Sequence, residues 1–265
     1  EKKYATEIAM LGDPKAGMAD LAAALEQAMN GEEKESARSR ASAVGEEKSR
    51  RKAAFQQRVR ANWNNPRISA ERMMTELASV MPKDAVMCSE AITSSGALMG
   101  AMDFEAPGSF YSARGGALGW GVPGSIGVKL ANPNRPVVAV VGDGAAMYTI
   151  QGLWTAARYN IPLVYVICNN GSYRILREGM VRYATDTGRP VDHEALNFYD
   201  LPLNLAKMAE AFNIEGIKVE KGADLKKAYE RAFAAGKPVV VDVSMDDTIP
   251  VQAMQDDYRP FAPKK

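Results

Sequence analysis

Pro136-Val137-Val138-Ala139-Val140-Val141-Gly142-Asp143-Gly144 is the stretch that decides how this chain folds. Its unbroken apolar run, rich in β-branched valine, predicts a strand buried on both faces. Gly-Asp-Gly then supplies turn chemistry, and a helical stretch comes after it. The same pattern recurs on either side. Ala85-Val86-Met87-Cys88-Ser89, Pro162–Cys168 and Pro238–Val243 read as further buried strands, and Ile214–Val219 as a weaker one. Helical stretches are expected over 119–131, 148–160, 202–213 and 223–235. Ser69 is the expected N-cap of a helix running to Met81, which Pro82 ends. Apolar strands alternating with helices predict an α/β fold, a mostly parallel sheet with helices on both faces. Such sheets bind ligands at the carboxyl ends of their strands, which directs attention to the residues just after Val141 and Cys168.

The 265 residues carry 33 Lys and Arg against 32 Asp and Glu, a net charge of +1, which argues against a nucleic-acid partner or a membrane surface. No apolar run is long enough for a transmembrane helix. Cys88 and Cys168 have neither a disulfide framework nor zinc-like spacing, so they are expected as buried small hydrophobes in a reducing, cytoplasmic setting. His193 is the single histidine, which excludes any mechanism needing two from this chain alone.

Residues 1–30 are expected to form one βα unit, the strand over Glu7–Leu11 and a helix through Met18, Leu21 and Leu25. One strand and one helix cannot bury a core, so the unit reads as the end of a domain that begins elsewhere. Residues 31–67 read as a charged linker, helical or partly disordered: 14 of the 30 residues from 31 to 60 are charged and none is proline. The main domain is expected over 68–245. The tail over 246–265 has no periodicity and reads as a disordered end or an arm over a site.

Gly142-Asp143-Gly144 alone is a common tight connection. Its pairing with Asn169-Asn170-Gly171-Ser172, directly after the Leu163–Cys168 strand, is what carries information. Adjacent parallel strands would set Asp143 and Asn170 side by side at one sheet edge. A carboxylate, an amide oxygen and a nearby backbone carbonyl are hard ligands of the kind magnesium or calcium takes, with positions left for phosphate oxygens and water. The glycines flanking Asp143 let phosphate approach the backbone. The pair therefore reads as a Mg-diphosphate site. There is no Gly-x-Gly-x-x-Gly after a strand and no Gly-Lys-Ser/Thr loop, so neither a dinucleotide nor a nucleoside-triphosphate fingerprint is present.

Gly142-Asp143-Gly144, 24 residues and then Asn169-Asn170 resembles the motif of the thiamine-diphosphate enzymes. Arg114-Gly115-Gly116-Ala117-Leu118-Gly119-Trp120-Gly121-Val122-Pro123 and Gly152-Leu153-Trp154-Thr155-Ala156-Ala157-Arg158-Tyr159-Asn160-Ile161-Pro162 extend the likeness. They look most like benzoylformate decarboxylase and its decarboxylase and carboligase relatives, with acetolactate-synthase-like enzymes next. The resemblance covers about 68–245 and implies the thiamine-diphosphate-binding fold, with 1–30 as the end of the family's central domain.

The resemblance also implies roles. Asp143, Asn170 and the Ser172 carbonyl would hold Mg²⁺. Gly142, Gly144, Ala145, Thr93 and Tyr173 would contact the cofactor, mostly at its diphosphate, although Ala145 stands where relatives often have a hydroxyl. Gly116 would offer its carbonyl to the aminopyrimidine amino group. Leu118 would be the apolar wedge that bends the cofactor and brings that amino group to the thiazolium C2, where a 2-oxoacid is attacked and loses carbon dioxide. Ile175 and Leu176 would wall an apolar substrate pocket. Arg174 and Arg177 would meet an anionic substrate or a coenzyme A tail, or else be solvated helix charges. Trp120, Trp154 and Tyr148 are expected in the core, and the polar region from Arg182 to Asn197 has no assignment.

Relatives activate the cofactor with a glutamate from a separate pyrimidine-binding domain, usually across a subunit interface. The expected partner is therefore such a domain or subunit, in a dimer or tetramer, with a 2-oxoacid or 2-hydroxyacyl compound as substrate. The expected activity is a lyase that decarboxylates, or makes or breaks a carbon–carbon bond beside a carbonyl. Acetolactate-synthase-like or 2-hydroxyacyl-CoA lyase activity, and a catalytically silent cofactor-binding scaffold, are the alternatives.

Overall fold

In a computed structural model of the chain, residues 5–190, 192 and 194–249 are described, and the fold divides into two compact units between Ala53 and Ala54. The first unit holds α1 (Pro14–Ala28) and most of α2 (Gly31–Asn62). α1 starts on Pro14, with Asp13 as N-cap accepting from Ala16 N at 2.9 Å. α2 starts with a reciprocal capping box, in which Asn30 Oδ1 accepts from Glu33 N and Glu33 Oε2 accepts from Asn30 N, both at 2.9 Å. Further along, Glu47 pairs with Arg50 at 2.8 Å and Arg51 at 2.7 Å, one helical turn away. No residue of α1 is buried. The strand expected over Glu7–Leu11 is not formed, and those residues are exposed. A strand needs a neighbour to take its N–H and C=O groups, and among the described residues none pairs with this segment.

The second unit begins in the last turns of α2 and continues through α3 (Ala70–Val80), β1 (Val86–Glu90), α4 (Ser95–Ala101), β2 (Phe110–Ser112), α5 (Gly121–Ala131), β3 (Val137–Gly142) and α6 (Asp143–Met147). It is completed by α7 (Gly152–Arg158), β4 (Val164–Asn169), α8 (Arg174–Thr187), α9 (Leu205–Ala211), β5 (Glu215–Val219), α10 (Leu225–Ala234) and β6 (Val239–Ser244). The six strands form one all-parallel sheet in the order β2-β1-β3-β4-β6-β5. Alternation along each strand builds two cores. On β3, Val138 and Val140 enter one core with Met74 and Leu77 of α3, Leu98 of α4, Tyr229 of α10 and Phe55 of α2. Val137, Ala139 and Val141 enter the other with Ile126 of α5, Leu153 of α7 and Leu205 of α9.

Ser69 caps α3 as expected, its hydroxyl accepting from Arg72 N at 3.2 Å. Cys88 and Cys168 are free and buried, and burial pushes both thiols up to about 12. β2, α4, α6 and α8 lie outside the sequence-based expectation. β2 is three residues long, and α8 has no buried residue. Trp154 and Tyr148 are exposed rather than core, because Leu153 and Ala156 take the inward face of α7 and Tyr148 lies in the turn between α6 and α7. Trp120 is half-buried against the second core.

The register of β3 on β4 pairs Val141 with Ile167 and Gly142 with Cys168. The two strands therefore end together, and Asp143 and Asn170 leave the sheet at the same carboxyl edge.

Candidate functional site

Asp143 is 2 % exposed, with Oδ1 accepting from Gly144 N at 2.9 Å and Oδ2 from Gly171 N at 2.7 Å. Burial pushes its carboxyl up to about 6, against the pull of those two N–H groups and with the Asp242 charge adding to the rise. A buried carboxyl so perturbed lacks a compensating positive charge. Beside it, Asn170 Oδ1 accepts from Ser172 N and from Ser172 Oγ, each at 3.1 Å. The donors gathered here are one carboxylate, one amide oxygen and the backbone carbonyl of buried Ser172. Among the described residues no group of three or more His, Cys, Asp and Glu could hold a metal. A cation at this edge would thus be held by few protein oxygens and would complete its shell with ligand oxygens and water, which suits Mg²⁺ and not zinc.

The space for a ligand is set by close packing. A Cβ on Gly144 would lie 2.7 Å from Cε1 of Tyr173, whose ring is braced edge-on by Phe198 at 4.8 Å. α6, which starts at Asp143, has only five residues and sums few peptide dipoles, so a diphosphate here would depend on the cation more than on the helix.

Two cavities open at this edge, of about 270 and 370 Å³. The smaller is lined by Thr93, Leu118, Gly142, Asp143, Gly144, Ala145, Asn170, Ser172, Tyr173, Ile175 and Leu176. Gly116 lines the larger one instead. Leu118 belongs to both walls, as do Glu90, Ala91 and Ile92. The structure therefore brings the candidate residues to two cavities that share one leucine in their walls.

What holds that leucine in place is Glu90, a residue that no sequence motif singles out. At the end of β1 and buried, its carboxylate accepts from Gly119 N and Gly121 N, both at 2.6 Å. Thr149 Oγ1 donates to Gly119 O at 2.6 Å from the other side. Gly119 has φ +88° and a Cβ there would meet Thr149 Cγ2 at 2.8 Å, so only glycine fits the loop at this point. A lone carboxylate closing an otherwise apolar strand is the one signal in the sequence that points to it. Ile92, two residues on, has φ +31°, a costly conformation for a β-branched residue and one that places it in both cavity walls.

The first asparagine of the pair is committed elsewhere. Asn169 Nδ2 donates to Asp242 Oδ1 at 2.9 Å and to Leu203 O at 3.0 Å, while Asp242 Oδ2 accepts from Leu205 N and Lys218 Nζ at 2.9 Å. This buried network fixes the end of β4 and leaves Asn170 to face the cavity. Arg174 and Arg177 are not solvated charges. Their side chains are 17 % and 16 % exposed and bond within the chain, Arg174 to Glu178 at 3.0 Å and Arg177 to Tyr199 Oη at 2.7 Å. His193 and residues 250–265 lie outside the described residues.

Among the described residues no helix is long and apolar enough to cross a membrane. Residues 92–243 match the model of the thiamine pyrophosphate enzyme, C-terminal TPP binding domain. The chain is 31 % identical to benzoylformate decarboxylase of Pseudomonas aeruginosa over 174 residues, 65 % of this chain and 31 % of that enzyme. It is 36 % identical to the acetolactate synthase large subunit of Haemophilus influenzae over 154 residues, 57 % of this chain and 26 % of that protein. Among solved structures, the thiamine diphosphate-dependent 4-hydroxybenzoylformate decarboxylase of Rhodococcus jostii RHA1 superposes with TM-score 0.62 at 31 % identity, over 69 % of this chain and 33 % of that one. The chain thus spans about a third of the length of such relatives. With the family's strand-end half-motifs seated at one sheet edge and the family model covering more than half its length, this chain belongs to the thiamine pyrophosphate enzymes, whose C-terminal cofactor-binding domain it carries.

Proposed function

We propose that this chain supplies the Mg²⁺- and diphosphate-binding part of a lyase that decarboxylates a 2-oxoacid, or makes or breaks a carbon–carbon bond next to a carbonyl. The observation that carries the reading is Leu118 standing between two cavities, with the oxygen donors Asp143 and Asn170 in one and Gly116 in the other. A bent two-ring cofactor needs that arrangement. When bound, thiamine diphosphate supplies a ring that accepts the electron pair released from the broken carbon–carbon bond.

The chain's own residues bind and orient. Asp143, Asn170 and the Ser172 carbonyl hold Mg²⁺, while Gly142, Gly144, Ala145, Thr93 and Tyr173 contact the cofactor. Leu118 would pack against the bound cofactor, and the Gly116 carbonyl would accept from its amino group. Ile175 and Leu176 exclude water from the substrate side, where a dry wall favours loss of carboxylate charge. Residues 1–30 are the end of a central domain and 31–67 a linker. The pyrimidine-binding domain comes from another polypeptide or from sequence beyond this chain, in a cytoplasmic dimer or tetramer. The chain's coverage of about a third of its relatives supports that division.

Acetolactate-synthase-like ligation is the second reading, favoured by the likeness to the Haemophilus influenzae enzyme. For a 2-hydroxyacyl-CoA lyase, Arg174 is engaged by Glu178 and Thr248, while Arg177 bonds through Nη1 and keeps a buried, unpartnered Nε. Assay of the complete assembly with pyruvate, benzoylformate and a 2-hydroxyacyl-CoA separates the three by product. Asp143→Ala should abolish both Mg²⁺-dependent cofactor binding and turnover; unchanged turnover in that variant would defeat the enzyme reading.

A further inference from the structure

The segment after β6 returns to the site loop through one carboxylate. Met245 bridges Ile68, and Asp246 N donates to Ile68 O at 2.9 Å. Arg174 donates to Asp246 O at 3.3 Å and to Thr248 O at 2.9 Å, fastening the segment to α8. Between those ties sits Asp247, its side chain 17 % exposed. Its carboxylate takes Arg67 at 2.5 Å on one oxygen, and on the other Arg177 at 3.4 Å and the Tyr199 hydroxyl.

Arg177 connects this knot to the candidate metal loop. The same Nη1 that faces Asp247 donates to Tyr199 Oη at 2.7 Å and to Ser172 Oγ at 3.3 Å. Ser172 Oγ in turn donates to Asn170 Oδ1 at 3.1 Å. The guanidinium also lies over the Tyr199 ring at 5.7 Å. Asp247 and Tyr199 therefore orient Arg177, and Arg177 in turn orients Ser172, whose hydroxyl donates to Asn170 Oδ1.

We propose that Asp247 is a positioning residue for Mg²⁺ and diphosphate binding: by fixing Arg177 and Tyr199 it holds the Asn170–Ser172 loop in its ligand geometry. The proposal rests on the reading of that loop as the cation site. Fastening the segment 246–248 to the domain is the competing role, and Arg174 and the Ile68 backbone already provide it without the Asp247 side chain. Groups that orient metal ligands through hydrogen bonds typically change affinity by about 10–100-fold when removed.

The test is a Mg²⁺ titration of the complete assembly at fixed thiamine diphosphate, followed by calorimetry, with the metal-free melting temperature measured alongside. Asp247→Asn and Arg177→Lys should each raise the half-saturating Mg²⁺ concentration roughly 10-fold or more. The double variant should be no worse than the weaker-binding single, because both act through one contact. Arg177→Lys keeps the charge but ends short of the position from which Nη1 meets Asp247 and Ser172, so it decides the matter if Asp247→Asn does not fold. Half-saturation within about twofold of the parent, with only the melting temperature lowered, would overturn the proposal, since 10-fold is the least expected of such a group. Additive losses in the double variant would overturn it too. A parent assembly without Mg²⁺-dependent cofactor binding overturns the site reading itself, a result that needs no variant to recognise.

Discussion

The helix α2 and the parallel sheet are both regular, yet opposite forces hold them. From Gly31 to Ala53 no residue of α2 is buried, and its order comes from a capping box at Asn30 and from ion pairs one turn apart. Such pairs contribute a few tenths of a kcal/mol each in helices generally. In the sheet unit β1, β3, β4 and β6 are buried along nearly their whole length, and two cores flank them. Each side chain fully buried there contributes about 1.5–3 kcal/mol. Only the second region has energy to spare for strain and buried charge, and the candidate site is where both are found. Ile92 at φ +31° and the buried carboxylates of Glu90 and Asp143 line it, and buried Asp242 stands behind it through Asn169. A solvated helix could not hold any of these.

The contrast can be broken at three points. Leu77→Ala, at a fully buried position in α3, should lower the unfolding free energy by about 2–5 kcal/mol in urea titration. The same change at Leu21 of α1, 43 % exposed, should leave the midpoint unmoved. Equal losses at both positions would show that α1 is covered in the assembled protein and end the contrast. Next in size is Glu90→Gln. The amide keeps one acceptor but turns an NH₂ toward the N–H of Gly119 or Gly121, at a cost of about 1–3 kcal/mol. Hydrogen exchange should show faster exchange at those two amides; unchanged protection would mean that Thr149 holds the loop alone. The smallest effect is expected from Asn30→Ala, about 1 kcal/mol of helix stability. With no tertiary cover over this part of α2, the loss should appear as fraying in the circular dichroism at 222 nm and leave sheet unfolding unaltered.

The same division governs how legible each region is in the sequence. The strands of the sheet's centre announce themselves because burial on both faces demands unbroken apolar runs, as in Val137–Val141. β2, three residues paired along one side only, has no such demand on its composition and stays hidden. Glu7–Leu11 misleads in the other direction, since an apolar run without a partner strand forms no ladder. Trp154 and Tyr148 are expected inside on chemistry alone, although a seven-residue helix and a turn leave them facing out.

The residues placed around Leu118 came from the family resemblance; by themselves, the local rules of the sequence determined the α/β class and the strand ends that carry Asp143 and Asn170. These rest on local rules: β-branched runs make strands, glycines make the turns after them, and parallel strands end at a common edge. Only the tertiary structure decided that Glu90 clamps the glycine-rich loop and that Asp242 engages Asn169 and leaves Asn170 to the cavity. It alone turned Arg174 and Arg177 away from solvent toward a segment some 70 residues on. Those contacts join residues far apart in the chain, and a charged side chain carries no mark of its partner until folding and desolvation bring the two together.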